Sequence, residues 1–291
     1  MKFNSDNLKM SLQSKGRLAE SSRQILRAAG VDFDCDEGRL FTRCRNYPLD
    51  LLLLRDDDIP EYVQDGVTDL GVVGLNVVRE KGAKVSQLDF LGFGECTLSI
   101  AVPRKSGART LEDLRGKRFA TSYPNLLRAF LQERGVEGRI IEISGSVELA
   151  PNLDVADAIC DLVSTGSTLR VNDLEPIEVV LKSEAVLIAN GESLQDERKS
   201  ELIERLRTRI GSHLRARRTK YVMMNAPAAA LQGIREVLPG MKSPTVLPLA
   251  DKEMIAVHAA VPEDVFWEVI EKLKVSGATD ILVVPVEKMV V

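Results

Sequence analysis

Short apolar runs alternate with amphipathic stretches through the first two-thirds of the chain. Leu8 to Gln13 predicts a strand, and Leu18 to Ala29, closed by Gly30, predicts a helix. Arg39 to Cys44 and Leu49 to Arg55 predict two more strands. Asp58 stands where a helix cap belongs, with Pro60 in the first turn that follows. Leu70 to Val73 is an apolar run of the kind buried on both faces, and it ends at Gly74. This alternation predicts an α/β domain with a largely parallel sheet.

A second unit begins near Cys96. Thr97 to Pro103, Arg118 to Ser122, Arg139 to Ser144 and Ala158 to Val163 predict strands, with a helix over Pro124 to Arg134. Glu178 to Leu181 and Ala185 to Ile188 run back out. The two units echo each other: Val67-Thr68-Asp69-Leu70 precedes one Gly-ended strand, and Val155-Ala156-Asp157-Ala158 precedes another, ending at Gly166. The echo reads equally as coincidence or as two related lobes around a cleft, and ligands bind in such clefts at strand carboxyl ends.

Gln195 to Lys220 predicts one long helix with Leu202, Leu206, Ile210 and Leu214 on a single stripe. From Tyr221 onward the grammar changes. Strands over Tyr221 to Asn225, Thr245 to Leu249, Ile255 to Ala260 and Ile281 to Val286 interleave with helices over Ala228 to Leu238 and Glu263 to Val275. That order, βαββαβ, is the ferredoxin-like split motif. A small domain without evident catalytic residues suggests regulation or assembly, or a structural cap.

Composition narrows the function. A hydrophobic share of 44% against 28% charged suits a well-cored globular protein. Lys+Arg 39 against Asp+Glu 43 gives a net charge of −4, which disfavours a general nucleic-acid binder. No apolar run approaches membrane-spanning length, and residues 1–6 carry no apolar core of a signal peptide. Four cysteines with no C-x-x-C pair read as reduced thiols of a cytoplasmic protein. With only His213 and His258, a His-based triad or multi-His metal site is nearly excluded. The chemistry falls to carboxylates, arginines, backbone amides and small hydroxyls.

The most informative stretch runs from Asp157 to Leu169. An apolar strand carries Asp157 and Asp161, then breaks into Ser164-Thr165-Gly166-Ser167-Thr168 before a short predicted helix. Amides and hydroxyls in such a turn suit a phosphate, and the acids suit sugar hydroxyls. An ordinary strand-to-helix turn with capping hydroxyls uses the same residues. Ser14-Lys15-Gly16-Arg17 places two cations around a glycine at a helix start. In Arg55-Asp56-Asp57-Asp58, an arginine closes a strand and acids open a helix; the acids also suit a hydrated Mg²⁺. Thr121-Ser122-Tyr123-Pro124 and Ser144-Gly145-Ser146-Val147-Glu148 are two further candidate oxyanion cradles. The signal is their joint occurrence at strand carboxyl ends.

Together these segments resemble the long form of the ATP phosphoribosyltransferase family. The likeness runs through SKGRL (14–18), RDDDIP (55–60), DGVTDLGVVG (65–74), TSYPNLL (121–127), GSVE (145–148), ADAICDLVSTGSTL (156–169), KYVMMNAP (220–227) and ILVVPVEKM (281–289). The resemblance implies an α/β fold of two periplasmic-binding-protein-like lobes forming a cleft, plus a C-terminal ferredoxin-like regulatory domain. One lobe would span 1–95 with about 183–218, the second 96–182, and the regulatory domain 219–291.

The reaction implied is transfer of the 5-phosphoribosyl group of phosphoribosyl pyrophosphate to N1 of ATP, with Mg²⁺ as cofactor. Asp157, Asp161, Ser164, Thr165, Gly166, Ser167 and Thr168 would bind the phosphoribosyl group. Gln13, Lys15, Gly16, Arg17, Asp69 and Gly74 would bind ATP. Arg55 and Arg39 would be catalytic, facing the pyrophosphate. Histidine, bound near Asn225 and Ala226, and AMP would inhibit a homodimer or homohexamer in the cytoplasm, with no role for nucleic acid or membrane. The competing readings are a phosphoribosyltransferase with another acceptor, and a two-lobed non-catalytic sensor of a phosphorylated metabolite.

Overall fold

The computed structural model describes residues 6–35, 38–238 and 243–290. The chain divides into two compact units, Met1–Arg27 with Val31–Ile203, and Ala28–Gly30 with Glu204–Val291.

The first unit contains two sheets. Its leading elements are β1 (Leu8–Gln13), α1 (Ala19–Ala28), β2 (Phe41–Arg43), β3 (Leu49–Leu54), α2 (Ile59–Gln64), β4 (Leu70–Gly74), α3 (Leu75–Lys81) and β5 (Ser86–Phe90). The chain then crosses into a second lobe: β6 (Cys96–Pro103), β7 (Arg118–Thr121), α4 (Pro124–Glu133), β8 (Arg139–Glu142), β9 (Ala158–Val163), α5 (Ser167–Val171) and β10 (Leu174–Ser183). It returns through β11 (Ala185–Ala189), α6 (Gly191–Gln195) and the start of α7 (Glu197–Arg217).

The first sheet has the order β2-β3-β1-β4-β11-β5 and the second β10-β6-β9-β7-β8. Neither is largely parallel, contrary to expectation. Only β3-β1-β4 and β9-β7-β8 run parallel. The double crossover explains this. β11 re-enters the first sheet from the crossover end, pairing Ala185 with Gly74, so it must oppose β4. Likewise β6 leaves the crossover and opposes β9, pairing Thr97 with Val163. The carboxyl ends of β1, β3, β4, β7, β8 and β9 all therefore open on the crossover side, where the cleft lies.

The apolar strands are buried as their sequence requires. Leu8, Met10, Leu12, Leu49 and Leu51 are fully buried in the first sheet, and Leu98, Ile100, Phe119 and Ile159 in the second. Burying each such side chain is worth about 1.5–3 kcal/mol, so these strands anchor the two lobes.

The long helix expected over Gln195 to Lys220 is broken at its start. Asp196 is extended, and its carboxylate accepts the Lys199 amide at 2.8 Å, so α7 begins at a cap. The division between compact units falls inside α7, after Ile203, and not at its end.

The second unit contains the rest of α7, then β12 (Thr219–Pro227), α8 (Leu231–Val237), β13 (Thr245–Pro248), β14 (Met254–Pro262), α9 (Phe266–Val275) and β15 (Thr279–Pro285). Its sheet order, β13-β14-β12-β15, is wholly antiparallel. This is the ferredoxin-like arrangement that the βαββαβ order predicts. Val222, Met224, Ala226, Val257 and Val261 face Ile234, Val269, Ile270 and Leu273 of the helices in one core. No helix among the described residues is long and apolar enough to cross a membrane.

Candidate active site

The turn after β1 is shaped by a buried glutamine. Gln13 Oε1 accepts the Leu18 amide at 2.9 Å and so caps the entry to α1. Gly16 has φ +114°, and a side chain there would meet Gln13 Nε2 at 2.6 Å, so glycine is required. This tight turn exposes Lys15 and Arg17. Arg23 donates to the Ser14 carbonyl at 2.7 Å and holds the turn from behind. Arg17 donates to the Gly94 carbonyl in the crossover, and its guanidinium also lies beside Gly74 at the end of β4.

Next to it, Arg55 follows the last residue of β3; it is exposed and has no acidic partner within 4 Å among the described residues. The antiparallel register Phe41↔Leu52 places the start of β2 beside the end of β3, so exposed Arg39 flanks the same corner. Burial, then the Asp57 charge, pushes the Asp56 carboxyl above its usual range. Two crowded carboxylates of this kind favour a cation.

At the crossover end of β9, the second lobe presents Asp161 and the loop Ser164–Thr168. These residues line a cavity of about 420 Å³ together with Glu148. Gly166 has φ +69°, a left-handed turn that directs the loop into α5. Thr165 Oγ1 and Ser167 Oγ lie 3.0 Å apart and share a hydrogen bond. Burial pushes the Asp161 carboxyl up, with the nearby Glu148 charge adding to the shift. A larger cleft of about 620 Å³ is lined by Asp56, Asp57, Glu80, Tyr123, Arg128 and Ser144, among others. It joins the two lobes.

Three expected site residues lie elsewhere. Asp69 precedes β4 and so sits at the opposite end from Gly74. Its buried carboxylate accepts the Lys9 amide at 2.7 Å, Ser193 Oγ at 2.7 Å and Lys199 Nζ at 2.8 Å. Nothing of it is left for ATP. Asp157 precedes β9 and lies at the far end from the Ser164–Thr168 loop. Its carboxylate accepts the Arg118 amide at 2.8 Å and the guanidinium at 3.0 Å. Arg118 holds it well below the usual carboxylate range. Ala226 is fully buried in the core of the second unit, so its side chain offers nothing to histidine. Asn225 alternates to the outer face, where it donates to Asp280 at 3.2 Å.

The Thr121–Pro124 segment is not an open cradle either. Thr121 Oγ1 donates to the Cys160 carbonyl at 2.7 Å and Ser122 Oγ to the Ile143 carbonyl at 2.6 Å. The start of α4 is filled by Glu80, whose carboxylate accepts the Asn125 and Leu126 amides, each at 2.9 Å. Acids stabilise helix N-termini in this way. Glu80 lies 45 residues from Asn125, and no local pattern announces it. Asn76 was also missed, although a polar residue inside the apolar run Leu70–Val78 is a visible signal. It is buried and bridges Ser183 and Tyr123.

Comparison with known proteins identifies a family. The family described as ATP phosphoribosyltransferase matches residues 55–212, and the family described as HisG, C-terminal domain, matches residues 216–288. A protein of Cytophaga hutchinsonii named ATP phosphoribosyltransferase is 47% identical over 283 residues, covering 97% of this chain and 98% of its own length. One from Parabacteroides distasonis with the same name is 47% identical over 284 residues, covering 98% of this chain and 100% of its own. Among solved structures, a chain of the ATP phosphoribosyl transferase (HisG:HisZ) complex from Thermotoga maritima is 30% identical, with a TM-score of 0.60. That match covers 70% of this chain and 98% of the other.

Proposed function

The chain belongs to the ATP phosphoribosyltransferase family, whose members join ATP and phosphoribosyl pyrophosphate in the first step of histidine biosynthesis, and from that premise we propose how its cleft divides the two substrates. The Ser164–Thr168 loop takes the 5-phosphate, and Asp161 accepts hydrogen bonds from the ribose hydroxyls. Gln13, Lys15, Gly16, Arg17 and Gly74 form the nucleotide side. Arg55, with Arg39 beside it, faces the pyrophosphate. What supports this division is the topology: the cations follow β1 and β3 and the amide-and-hydroxyl loop follows β9, and these strands of the two lobes all end on the crossover side.

N1 of adenine is an unprotonated nucleophile near neutral pH and needs no general base, which fits a site without histidine. Its attack on the anomeric carbon expels pyrophosphate. Positive charge grows on the sugar and negative charge on the leaving group. Arg55 and the Lys15–Arg17 turn stabilise the leaving group, and one preorganised donor of this kind is worth about 2.7–4 kcal/mol. Holding both substrates in one cleft supplies much of the remaining rate.

The family uses a metal ion; Mg²⁺ is our assignment. Among the described residues no three or more His, Cys, Asp or Glu side chains cluster tightly enough to cage a metal. The Asp56–Asp57 pair fits the habit of Mg²⁺, which binds through one or two carboxylates plus substrate phosphates. Those two residues would hold it, and the ion would supply charge neutralisation for the pyrophosphate.

Histidine would act on the C-terminal domain. A pocket of about 420 Å³ there is lined by Met223, Asn225, His258, Asp280 and Leu282, among others. Asn225 and Asp280 suit an amino acid's charged groups. AMP would compete at the nucleotide side, and the cytoplasmic enzyme would assemble as homodimers and homohexamers. The deciding experiment is pyrophosphate release from ATP and phosphoribosyl pyrophosphate with Mg²⁺, with and without histidine. Formation of N1-(5-phosphoribosyl)-ATP is expected. Absence of product with both substrates bound would leave a non-catalytic sensor.

A further inference from the structure

Tyr123 occupies a position in the cleft that no role above requires. Its hydroxyl lies 3.2 Å from Asn76 Nδ2. The direction of this bond is fixed from the other side of Asn76. The Ser183 hydroxyl accepts the Asn76 backbone amide at 3.0 Å and donates to Asn76 Oδ1 at 2.9 Å. Oδ1 therefore faces Ser183, and Nδ2, which can only donate, faces Tyr123. The phenol oxygen is the acceptor, and its own proton points elsewhere. Among the described residues nothing accepts that proton within hydrogen-bond distance of the hydroxyl.

The surroundings say what the proton is for. Tyr123 lines the interlobe cleft with Asp56 and Asp57. Burial and the charges of Asp161, Asp56 and Asp57 push its phenol up, so it stays protonated and remains a donor. A lysine or arginine among three carboxylates would be captured by them as an ion pair. A neutral hydroxyl is not, and stays available to an incoming anion.

We propose that Tyr123 donates a hydrogen bond to a phosphoryl oxygen of the bound substrates, and that Asn76 is the positioning residue that aims it. Asn76 is only 1% exposed and is anchored to Ser183 at the end of β10, where the chain crosses back between lobes. The hydroxyl is thus set by the crossover, not by its own helix. The inference rests on the assignment of this cleft to phosphorylated substrates.

The test compares Tyr123→Phe, Asn76→Ala and the double variant in the full-length chain. Three quantities are read: kcat/KM for phosphoribosyl pyrophosphate, the dissociation constant of inorganic pyrophosphate with Mg²⁺ by calorimetry, and the thermal midpoint. Each single change should lower kcat/KM by about tenfold to a hundredfold, the usual worth of a hydrogen bond to a charged group. In the Tyr123→Phe background, Asn76→Ala should cost little more, because its partner is already gone. Losses that multiply in the double variant overturn the positioning role; a purely structural asparagine would depress activity equally with or without the hydroxyl. Tyr123→Phe with wild-type kcat/KM and wild-type pyrophosphate affinity overturns the donor role. If Asn76→Ala does not fold, Ser183→Ala releases the same anchor and takes its place in the cycle. A wild-type chain that binds pyrophosphate but makes no product sinks the reaction assigned above, and calorimetry on Tyr123→Phe still decides the hydrogen bond.

Discussion

Asp69 and Asp157 make the same pair of bonds in the two lobes. Asp69 donates its amide to the Lys9 carbonyl at 2.8 Å and accepts the Lys9 amide on its carboxylate at 2.7 Å. Asp157 donates its amide to the Arg118 carbonyl at 2.9 Å and accepts the Arg118 amide at 2.8 Å. In each case the aspartate stands just before a parallel strand and clips the start of its parallel neighbour. The echo between Val-Thr-Asp-Leu and Val-Ala-Asp-Ala is therefore a repeated device for starting a strand pair.

Both residues should accordingly matter for stability and not for substrate. Asp69 is buried, and removing it leaves the Lys199 ammonium, the Ser193 hydroxyl and the Lys9 amide unmatched. Asp69→Ala should cost about 3 kcal/mol in urea unfolding, near the lower end for a broken buried pair because Lys199 is partly solvated. Asp157→Ala should cost less, since that carboxylate is about a third exposed. Arg118 depresses the Asp157 pKa, so its contribution is complete above the unfolded pKa and is lost as pH falls through the folded one. In steady-state assays neither variant should raise the KM of ATP or phosphoribosyl pyrophosphate while folded; a selective rise in either would return that aspartate to the site.

Asp161 should behave in the opposite way. Burial raises its pKa, so its ionised form costs stability above that pKa, and the cost fades as pH falls through it. Only the carboxylate accepts two ribose hydroxyls at once. The KM for phosphoribosyl pyrophosphate should therefore begin to rise, as pH is lowered, at a higher pH than the ordinary aspartate value of about 3.9 allows. Asp161→Asn should raise that KM about tenfold at neutral pH and remove this acid limb. An unchanged pH profile in Asp161→Asn would assign the limb to another group.

The contrast between Asp157 and Asp161 marks how far the sequence could be read. Period and turn residues placed β1 and β9 where they stand and the elements of the ferredoxin-like unit within about three residues, because those signals are local. They also identified the Ser164–Thr168 loop, since a run of small hydroxyls around a left-handed glycine is a local signal as well. Which end of a strand an aspartate occupies in space is equally local, yet strand-flanking acids were grouped by composition and not by end. Glu80 of α3 at the start of α4, and Asn76 between Ser183 and Tyr123, depend on chain separations of 45, 107 and 47 residues. No period in the sequence reports such contacts. The antiparallel strands were missed for a similar reason, because they follow from where the crossovers re-enter.

Gly166 tests the loop itself. At φ +69° a side chain costs about 1–2 kcal/mol through its Cβ, and a β-branched one also crowds the amides the phosphate needs. Gly166→Val should raise the KM for phosphoribosyl pyrophosphate by tenfold or more, on the order of that strain, and that for ATP far less. Equal losses for both substrates would mean that the whole second lobe is disturbed.

Regulation can be separated from catalysis at the ferredoxin-like domain. Asn225 and Asp280 are bonded to each other across the pocket on its outer sheet face. Asp280→Ala should abolish histidine inhibition and leave uninhibited turnover near wild type, and deletion from about residue 219 onward should do the same if the remaining lobes fold. Inhibition that survives both changes would place the effector elsewhere.

The sharpest prediction concerns Arg55. It directly follows β3, it is exposed, and its guanidinium has no acidic partner within 4 Å among the described residues. Its removal breaks no ion pair among the described residues. Arg55→Ala should therefore leave the thermal midpoint within a degree or so, since surface changes away from packed features stay within about 0.5 kcal/mol. Turnover is another matter. The negative charge that accumulates on the departing pyrophosphate is larger in the transition state than in the bound substrate, so a cation placed there lowers kcat's barrier more than it tightens binding. The loss should be about a hundredfold or more in kcat, with a smaller change in the KM of phosphoribosyl pyrophosphate. Arg55→Lys should recover part of it, because a point charge neutralises but cannot chelate two oxygens as a guanidinium does. If instead KM rises and kcat stands, Arg55 serves only to hold the substrate, and the leaving group must draw its stabilisation from the Lys15–Arg17 turn and the metal.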